Sequence, residues 1–155
     1  MAGRRAKVIA VTSGKGGVGK STLTVSLGIA AASSGKRVLL VELDAGLRGM
    51  DIMLGLSGVV YDLGDLLEGR CNINSAIIPS PNVPELYAIV APVSLKGPIL
   101  MQDIRLLIDG LRAYFDLIFL DTPAGLGKGL QYACEVSDLA LMVATPDPDC
   151  VRAGG

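Results

Sequence analysis

Residues 13–22 constrain the fold of this chain more than any other segment. They read SGKGGVGKST and match the pattern G-x-x-x-x-G-K-[ST]. A loop of this composition turns its backbone N–H groups inward and forms a concavity that binds phosphate, and its glycines let the backbone approach the ligand closely. The residues expected to hold the phosphate-bearing ligand are Gly14, Lys15, Gly16, Gly17, Val18, Gly19, Lys20, Ser21 and Thr22.

The segments on either side of this loop supply the context that it needs. Residues 7–12 predict a short buried strand, and residues 21–34 predict a helix with an apolar stripe that stops at Gly35. A strand, a glycine loop and a helix in this order distinguish a phosphate loop from an accidental glycine-rich turn. In that setting the Lys20 ammonium lies beside the β- and γ-phosphates and the Ser21 hydroxyl is available to Mg²⁺, while the positive end of the helix points at the anion.

The rest of the chain repeats the alternation of strands and helices. The further strands predicted from apolar runs are 38–43, 86–90, 117–120 and 139–143. The further helices predicted from periodicity are 61–68 and 98–115, and three prolines predict a rigid loop over 79–85. Arg105, Asp109 and Arg112 share one face of the longer helix and predict a solvated surface. The predicted fold class is α/β, a mainly parallel open sheet with helices on both faces and of P-loop NTPase type, with residues 1–155 as a single nucleotide-binding domain.

Composition excludes several classes of function. Half of the residues are hydrophobic, as a parallel sheet covered on both faces requires, but no apolar run approaches the roughly 18 residues of a membrane span. The chain has no histidine, which excludes histidine catalysis and most zinc sites. Its net charge is −1 with scattered basic residues, which indicates no nucleic-acid partner. Cys71, Cys134 and Cys150 form no metal-ligand spacing and predict reduced thiols in a cytoplasmic protein.

Two aspartates follow predicted strands and belong to the same edge of the sheet as the loop, where ligands of open α/β sheets bind. Asp121 has the position of a Walker B carboxylate that orients Mg²⁺, or alternatively caps the next turn. Asp44 is suited to position the attacking water or accept its proton, or alternatively to form a turn with Gly46. Glu42 and Asp51 are weaker candidates, and Glu42 is expected to face either the metal region or solvent.

Lys15 separates this loop from an ordinary phosphate loop. A second lysine beside the first glycine adds positive charge where the transferred phosphoryl group becomes more negative, a contact worth about 1.5–3 kcal/mol. An arginine finger supplies the same charge in trans. Together Lys15, Gly16, Gly17, Lys20 and Ser21 match K-G-G-x-x-K-[ST]. With this deviant Walker A pattern the chain resembles the MinD/ParA group of ATPases.

The resemblance extends over nearly the whole chain and is strongest to those members of the group that determine the site of the division septum. The segment 46–48 with Asp51, and Asp121 with 123–125, are similar to successive motifs of these proteins. The resemblance implies an Mg²⁺-dependent ATPase that forms a homodimer in its ATP state, in which Lys15 reaches the nucleotide of the partner subunit.

The resemblance also implies roles for the other site residues and the class of partner. Lys20 and Ser21 would hold the phosphates and Mg²⁺, Asp44 would assist the attacking water, and Asp121 would hold the metal through water. Members of the group bind the inner face of the cell membrane through a C-terminal amphipathic helix. There they recruit a division inhibitor, and a second protein stimulates hydrolysis and releases them.

Several features depart from the pattern of the group. Glu42 stands where the first aspartate of a D-x-D element is usual, residues 126–130 lack an expected acidic side chain, and Thr145 replaces an asparagine. The sequence stops at 151–155, where the group begins another helix, and it contains no counterpart of the membrane helix. We therefore expect a fragment, with a naturally short paralogue as the alternative.

Two other functions are compatible with these residues. A relative that places flagella or partitions chromosomes would share the phosphate site and differ in its contacts to cargo. A non-hydrolysing nucleotide-binding module would result if the change at Glu42 and the shortened chain removed activity. The choice of ATP over GTP follows from the resemblance alone.

Overall fold

The computed structural model describes residues 5–14, 19–45, 49–123 and 126–143. Strands and helices alternate along most of this part of the chain. The strands are β1 (Lys7–Ser13), β2 (Val38–Glu42), β3 (Ile78–Pro79), β4 (Leu86–Ile89), β5 (Leu117–Asp121) and β6 (Leu139–Val143). The helices are α1 (Lys20–Ser33), α2 (Met50–Leu54), α3 (Leu63–Leu67), α4 (Ile73–Ala76), α5 (Met101–Leu111) and α6 (Leu126–Glu135).

The described strands form one sheet in the order β3-β4-β2-β5-β1-β6. Every pairing is parallel except that of β3 with β4, which confirms the predicted fold class. The two-residue strand β3 replaces the start of the loop predicted over 79–85, because Pro79 pairs with Tyr87 at the edge of the sheet. Proline is tolerated there, since an edge strand leaves one side of its backbone without ladder hydrogen bonds.

Two apolar layers cover the sheet, one on each face. Alternate residues of a strand point to opposite layers. In β1, Val8 and Ala10 pack with residues of α3, α5 and α6, whereas Ile9 and Val11 pack with residues of α1 and α2. Strands that are buried on both faces are apolar at successive positions, which accounts for the hydrophobic composition of the chain.

Local signals explain where the well-predicted helices begin and end. Asp62 caps α3 through a reciprocal pair of hydrogen bonds with Asp65, whose backbone N lies 3.0 Å from Asp62 Oδ1. Gly69, with a φ of 76°, follows that helix, and Gly35, with a φ of 98°, follows α1 as predicted. The helices α2, α4 and α6 escaped prediction. The four or five residues of α2 and α4 are too few to show a helical period, and α6 contains two glycines, which have a low helix propensity.

The assignment of Arg112 to a solvated surface is wrong. Its side chain is largely buried at the end of α5, with 7% of the residue exposed. Its guanidinium donates to the carbonyl oxygen of Ala6 at 2.9 Å and to Asp138 Oδ2 at 2.7 Å. The same carboxylate oxygen accepts the backbone N–H of Val8 at 2.9 Å. Arg112 therefore joins the end of α5 to the starts of β1 and β6.

Replacing Arg112 by alanine is expected to lower the free energy of unfolding by about 1–2 kcal/mol, because the chain loses the hydrogen bond to the carbonyl oxygen of the buried Ala6 and the ion pair with Asp138, which is partly exposed and screened by solvent. The guanidinium lowers the pKa of Asp138, so the wild-type chain keeps this stabilisation above the unfolded-state pKa and loses it as the pH falls below about 4. Urea unfolding at neutral and acidic pH measures both effects. Arg105→Ala is the control, since its pair with Glu135 is exposed and spans 3.8 Å. An Arg112→Ala chain as stable as this control at neutral pH would contradict the expectation.

Candidate functional site

Three adjacent strands bring the distant candidate residues to one edge of the sheet. β5 lies between β2 and β1, and Asp121 at its end is in register with both Glu42 and Val11. The backbone N–H of Leu43 donates to the carbonyl oxygen of Asp121 at 2.9 Å, which holds the end of β2 to β5 beyond the strand. The phosphate loop after β1, Asp44 after β2 and Asp121 therefore share the carboxyl edge, as the strand order of a parallel sheet requires.

The second half of the phosphate loop, from Gly19 onward, leads directly into the first turn of α1. Gly19 precedes the helix with a φ of 84°, a left-handed conformation that favours glycine over a residue with a side chain. The Thr24 hydroxyl donates to the carbonyl oxygen of Lys20 at 2.8 Å in the first turn. Thr22 and Gly14 are exposed on either side of the loop. The candidates Lys15, Gly16, Gly17 and Val18 lie outside the described residues.

Lys20, Ser21 and Asp121 form a compact polar group at this edge. The Lys20 ammonium forms an ion pair with Asp121 Oδ1, and the two side chains are 5% and 0% exposed. The Ser21 hydroxyl donates to Asp121 Oδ2 at 2.7 Å. One buried carboxylate thus contacts the side chains expected to bind phosphate and Mg²⁺, even though 100 residues separate it from Ser21.

The donor set fits a magnesium ion held together with phosphate. Mg²⁺ keeps several waters and takes one or two carboxylates plus phosphate oxygens, rather than a cage of protein ligands. Among the described residues no group of three or more acidic, cysteine or histidine side chains is clustered for a metal. The Ser21 hydroxyl and the Asp121 carboxylate, 2.7 Å apart, lie close enough to serve one ion.

The other acidic candidates, Asp44, Asp51 and Glu42, lie in three different environments. Asp44 is 8% exposed and lies two residues beyond β2, at the same edge as Asp121. Asp51 lies in α2 and accepts the backbone N–H of Ile52 at 2.9 Å. Glu42 faces neither solvent nor the metal region, contrary to expectation. It is fully buried, and its carboxylate accepts backbone N–H groups, one of them from Ala91 at 2.9 Å.

Sequence reasoning missed the close packing of α6 against the end of β1. A Cβ atom added at Gly129 would lie 2.3 Å from Thr12 Oγ1, so only glycine fits there unless the Thr12 side chain or the helix shifts. Thr12 immediately precedes Ser13 and the phosphate loop, and its hydroxyl is buried without a hydrogen-bond partner among the described residues. The available signal was the spacing of the glycines at 127 and 129, two residues apart in the sequence.

None of the helices that the structure describes has the length and apolar character needed to cross a membrane.

Comparison with known proteins places the chain in a family. The family described as AAA domain matches residues 6–151. The septum site-determining protein MinD of Helicobacter pylori is 44% identical over 147 residues, which cover 94% of this chain and 55% of that protein. MinD of Bacillus subtilis is 39% identical and is covered to a similar extent, 56%. The chain thus spans a little over half the length of these curated relatives.

Solved structures agree with this assignment. A chain of the MinC:MinD cell division protein complex of Aquifex aeolicus superposes with a TM-score of 0.83 at 39% identity, covering 95% of this chain and 60% of that chain. MinD of Pyrococcus horikoshii OT3, complexed with Mg-ADP, gives a TM-score of 0.79 at 27% identity, covering 95% of this chain and 61% of that chain. The chain therefore belongs to the AAA-domain family that matches residues 6–151 and, within it, to the MinD/ParA group.

Proposed function

We propose that this chain is the nucleotide-binding part of an Mg²⁺-dependent ATPase switch, whose ATP-driven dimerisation serves placement of the division septum. The observation that carries the proposal is the contact of Lys20 and Ser21 with the buried carboxylate of Asp121. The Mg-ADP in the Pyrococcus protein supports a nucleotide and Mg²⁺ as ligands. The MinC:MinD complex of Aquifex supports a division protein of MinC type as a partner.

Each residue has a distinct task in this proposal. Lys20 places a positive charge at the phosphates, and Ser21 and Asp121 hold Mg²⁺, which neutralises charge on the phosphate oxygens when bound. Asp44 orients the attacking water from the neighbouring strand. Lys15 adds charge to the nucleotide of the partner subunit. Phosphoryl transfer needs little covalent chemistry from a protein, so positioning and charge account for most of the rate.

The cellular setting belongs to the same proposal. The protein works in the cytoplasm, where a full-length relative would bind the inner face of the cell membrane peripherally. A protein that stimulates hydrolysis completes the cycle. The similarity to septum site-determining proteins favours this setting over flagellar placement or partition, whose phosphate sites would be built alike.

A non-hydrolysing module is the less favoured alternative. The change at Glu42 and the shortened chain suggest it, but the Glu42 carboxylate accepts hydrogen bonds from backbone N–H groups and lies outside the group formed by Lys20, Ser21 and Asp121. Asp44 keeps its position at the carboxyl edge. Calorimetric titration with ATP·Mg²⁺, run beside a phosphate-release assay, separates the two functions. Binding without turnover would favour the module, and no binding of ATP or GTP would overturn both.

Replacing Lys15 by alanine tests the role of this second lysine. The variant is expected to retain most of its affinity for ATP·Mg²⁺, because Lys20 and the loop amides remain. It should lose ATP-dependent dimerisation and about 10³-fold or more in turnover, the contribution of a charge supplied in trans. Light scattering and phosphate release measure the two losses. Lys36→Ala, which removes an exposed lysine beyond α1, is the control. Turnover at the wild-type rate by Lys15→Ala would rule out the trans-lysine mechanism.

A further inference from the structure

Glu42 is a buried acidic residue that the proposed reaction does not use. It ends β2 with none of its surface exposed. Oε2 accepts the backbone N–H groups of Gly49 at 2.9 Å and Met50 at 3.0 Å, and Oε1 accepts that of Ala91 at 2.9 Å. Hydrogen bonds to an ionised acceptor are the stronger kind, and buried carboxylates persist where such donors replace water. This carboxylate therefore holds three backbone N–H groups in place.

The three donors come from two different segments. Gly49 and Met50 stand at the start of α2, at the far end of the loop that leaves β2. Ala91 follows β4, the strand that pairs with β2. One carboxylate at the end of β2 thus joins the start of α2 and the residue that follows β4.

Asp44 lies between Glu42 and Gly49, the two residues that this hydrogen bond joins. On the other side of β2, the backbone N–H of Leu43 donates to the carbonyl oxygen of Asp121. The end of β2 is consequently held from both neighbouring strands, to β5 by Leu43 and to β4 by Glu42. The side chain of Met50 is fully buried and anchors the far end of the same loop in the core.

We infer that Glu42 is a positioning residue, which holds the end of β2 to the start of α2 and to the residue that follows β4, so that Asp44 keeps its place relative to the Lys20–Asp121 pair. The inference rests on the proposed function. It assigns Glu42 no contact with substrate or metal, because its carboxylate is engaged by backbone donors. It also gives the departure from the usual aspartate a physical role, since the longer side chain spans from β2 to both segments.

Glu42→Gln is the direct test. Glutamine has one acceptor oxygen, and its amide group would face an N–H donor, so at least one of the two segments loses its acceptor. Turnover is expected to fall about 10–100-fold, since a displacement of about 1 Å of a positioned group has an effect of this size. The Kd for ATP·Mg²⁺ should stay unchanged, because the phosphate loop is untouched. If Glu42→Gln does not fold, Glu42→Asp takes its place: the shorter side chain keeps the charge but should lose protection at one of the two segments, with a smaller loss of turnover, because aspartate is usual in the group at this position.

Asp62→Asn is the matched control. The Asp62 carboxylate, at the start of α3, accepts backbone N–H groups of Asp65 at 3.0 Å and Val93 at 3.1 Å. The amide substitution removes an acceptor of the same kind without touching residues 43–49. This variant should show a lowered melting temperature and wild-type turnover.

Amide hydrogen exchange provides a readout that does not depend on turnover. Protection at Gly49, Met50 and Ala91 should fall in Glu42→Gln and remain in Asp62→Asn. Unchanged protection in Glu42→Gln would overturn the inference. Lost protection with wild-type turnover would also overturn it, as would an equal loss of turnover in Glu42→Gln and Asp62→Asn.

A different result would overturn the proposed function. If the wild-type chain binds ATP·Mg²⁺ and does not hydrolyse it, the proposed function and the catalytic part of the inference are both wrong. Hydrogen exchange would still decide whether Glu42 holds the backbone at Gly49, Met50 and Ala91.

Discussion

Replacing Lys20 by alanine is expected to abolish binding of ATP·Mg²⁺ and to lower the free energy of unfolding by about 3–5 kcal/mol. The first effect follows from the loss of the ammonium at the phosphates. The second follows from the structure alone, because the partner carboxylate of Asp121 is completely buried and would remain as an uncompensated charge. Loss of binding by this variant could therefore reflect either a missing contact or a weakened fold.

A double variant separates these two causes. Lys20→Ala combined with Asp121→Asn removes both charges, so the unfolding free energy should recover by a large part of the loss. Binding of ATP·Mg²⁺ should remain absent, since neither side chain is restored. Urea unfolding and calorimetric titration, performed on both variants, measure stability and affinity independently. Binding of ATP by the double variant, with recovered stability, would show that Lys20 acts only as the structural counterion of Asp121.

The parts of the fold set by neighbouring residues could be predicted from the sequence. The apolar run of β1, the glycine loop and the stripe of α1 each depend on residues close in sequence, and their order predicted the position of Lys20 and Ser21. Asp121 was predicted from its place at the end of an apolar run, and the parallel sheet then required it to lie at the loop's edge. In each case the prediction needed only local periodicity and the geometry of parallel strands.

The roles of buried charges could not be predicted in this way. Glu42 and Arg112 resemble surface residues when read in sequence, because their partners are remote. Glu42 accepts an N–H from Ala91, 49 residues away, and Arg112 donates to the carbonyl oxygen of Ala6, 106 residues away. A charged side chain is buried only where such partners replace its hydration, and that condition depends on tertiary structure. The same holds for Gly129, whose need for a small residue arises from Thr12 on another element.

The Lys20–Asp121 pair also bears on how nucleotide enters the proposed site. In the structure, the carboxylate of Asp121 supplies Lys20 with the negative charge that a phosphate would provide, and it accepts a hydrogen bond from the Ser21 hydroxyl. In the proposed function, Lys20 contacts the phosphates while Ser21 and Asp121 hold the metal, so binding of ATP·Mg²⁺ would exchange these contacts. A metal ion compensates Asp121 for the lost lysine, so phosphate and Mg²⁺ should bind with strong mutual dependence.

Replacing Asp121 by asparagine is expected to weaken that dependence. Without the competing carboxylate, Lys20 is available to phosphate, and ATP should bind about tenfold more tightly than to wild type when Mg²⁺ is removed by EDTA. With Mg²⁺ present, turnover should fall about 10–100-fold because the metal loses a carboxylate that orients it. Fluorescent ATP titrations with Mg²⁺ and with EDTA, on wild type and on Asp138→Asn as a control at the other end of the sheet, measure the coupling directly. An Asp121→Asn chain whose affinity depends on Mg²⁺ as steeply as wild type would show that the carboxylate neither competes with phosphate nor holds the metal.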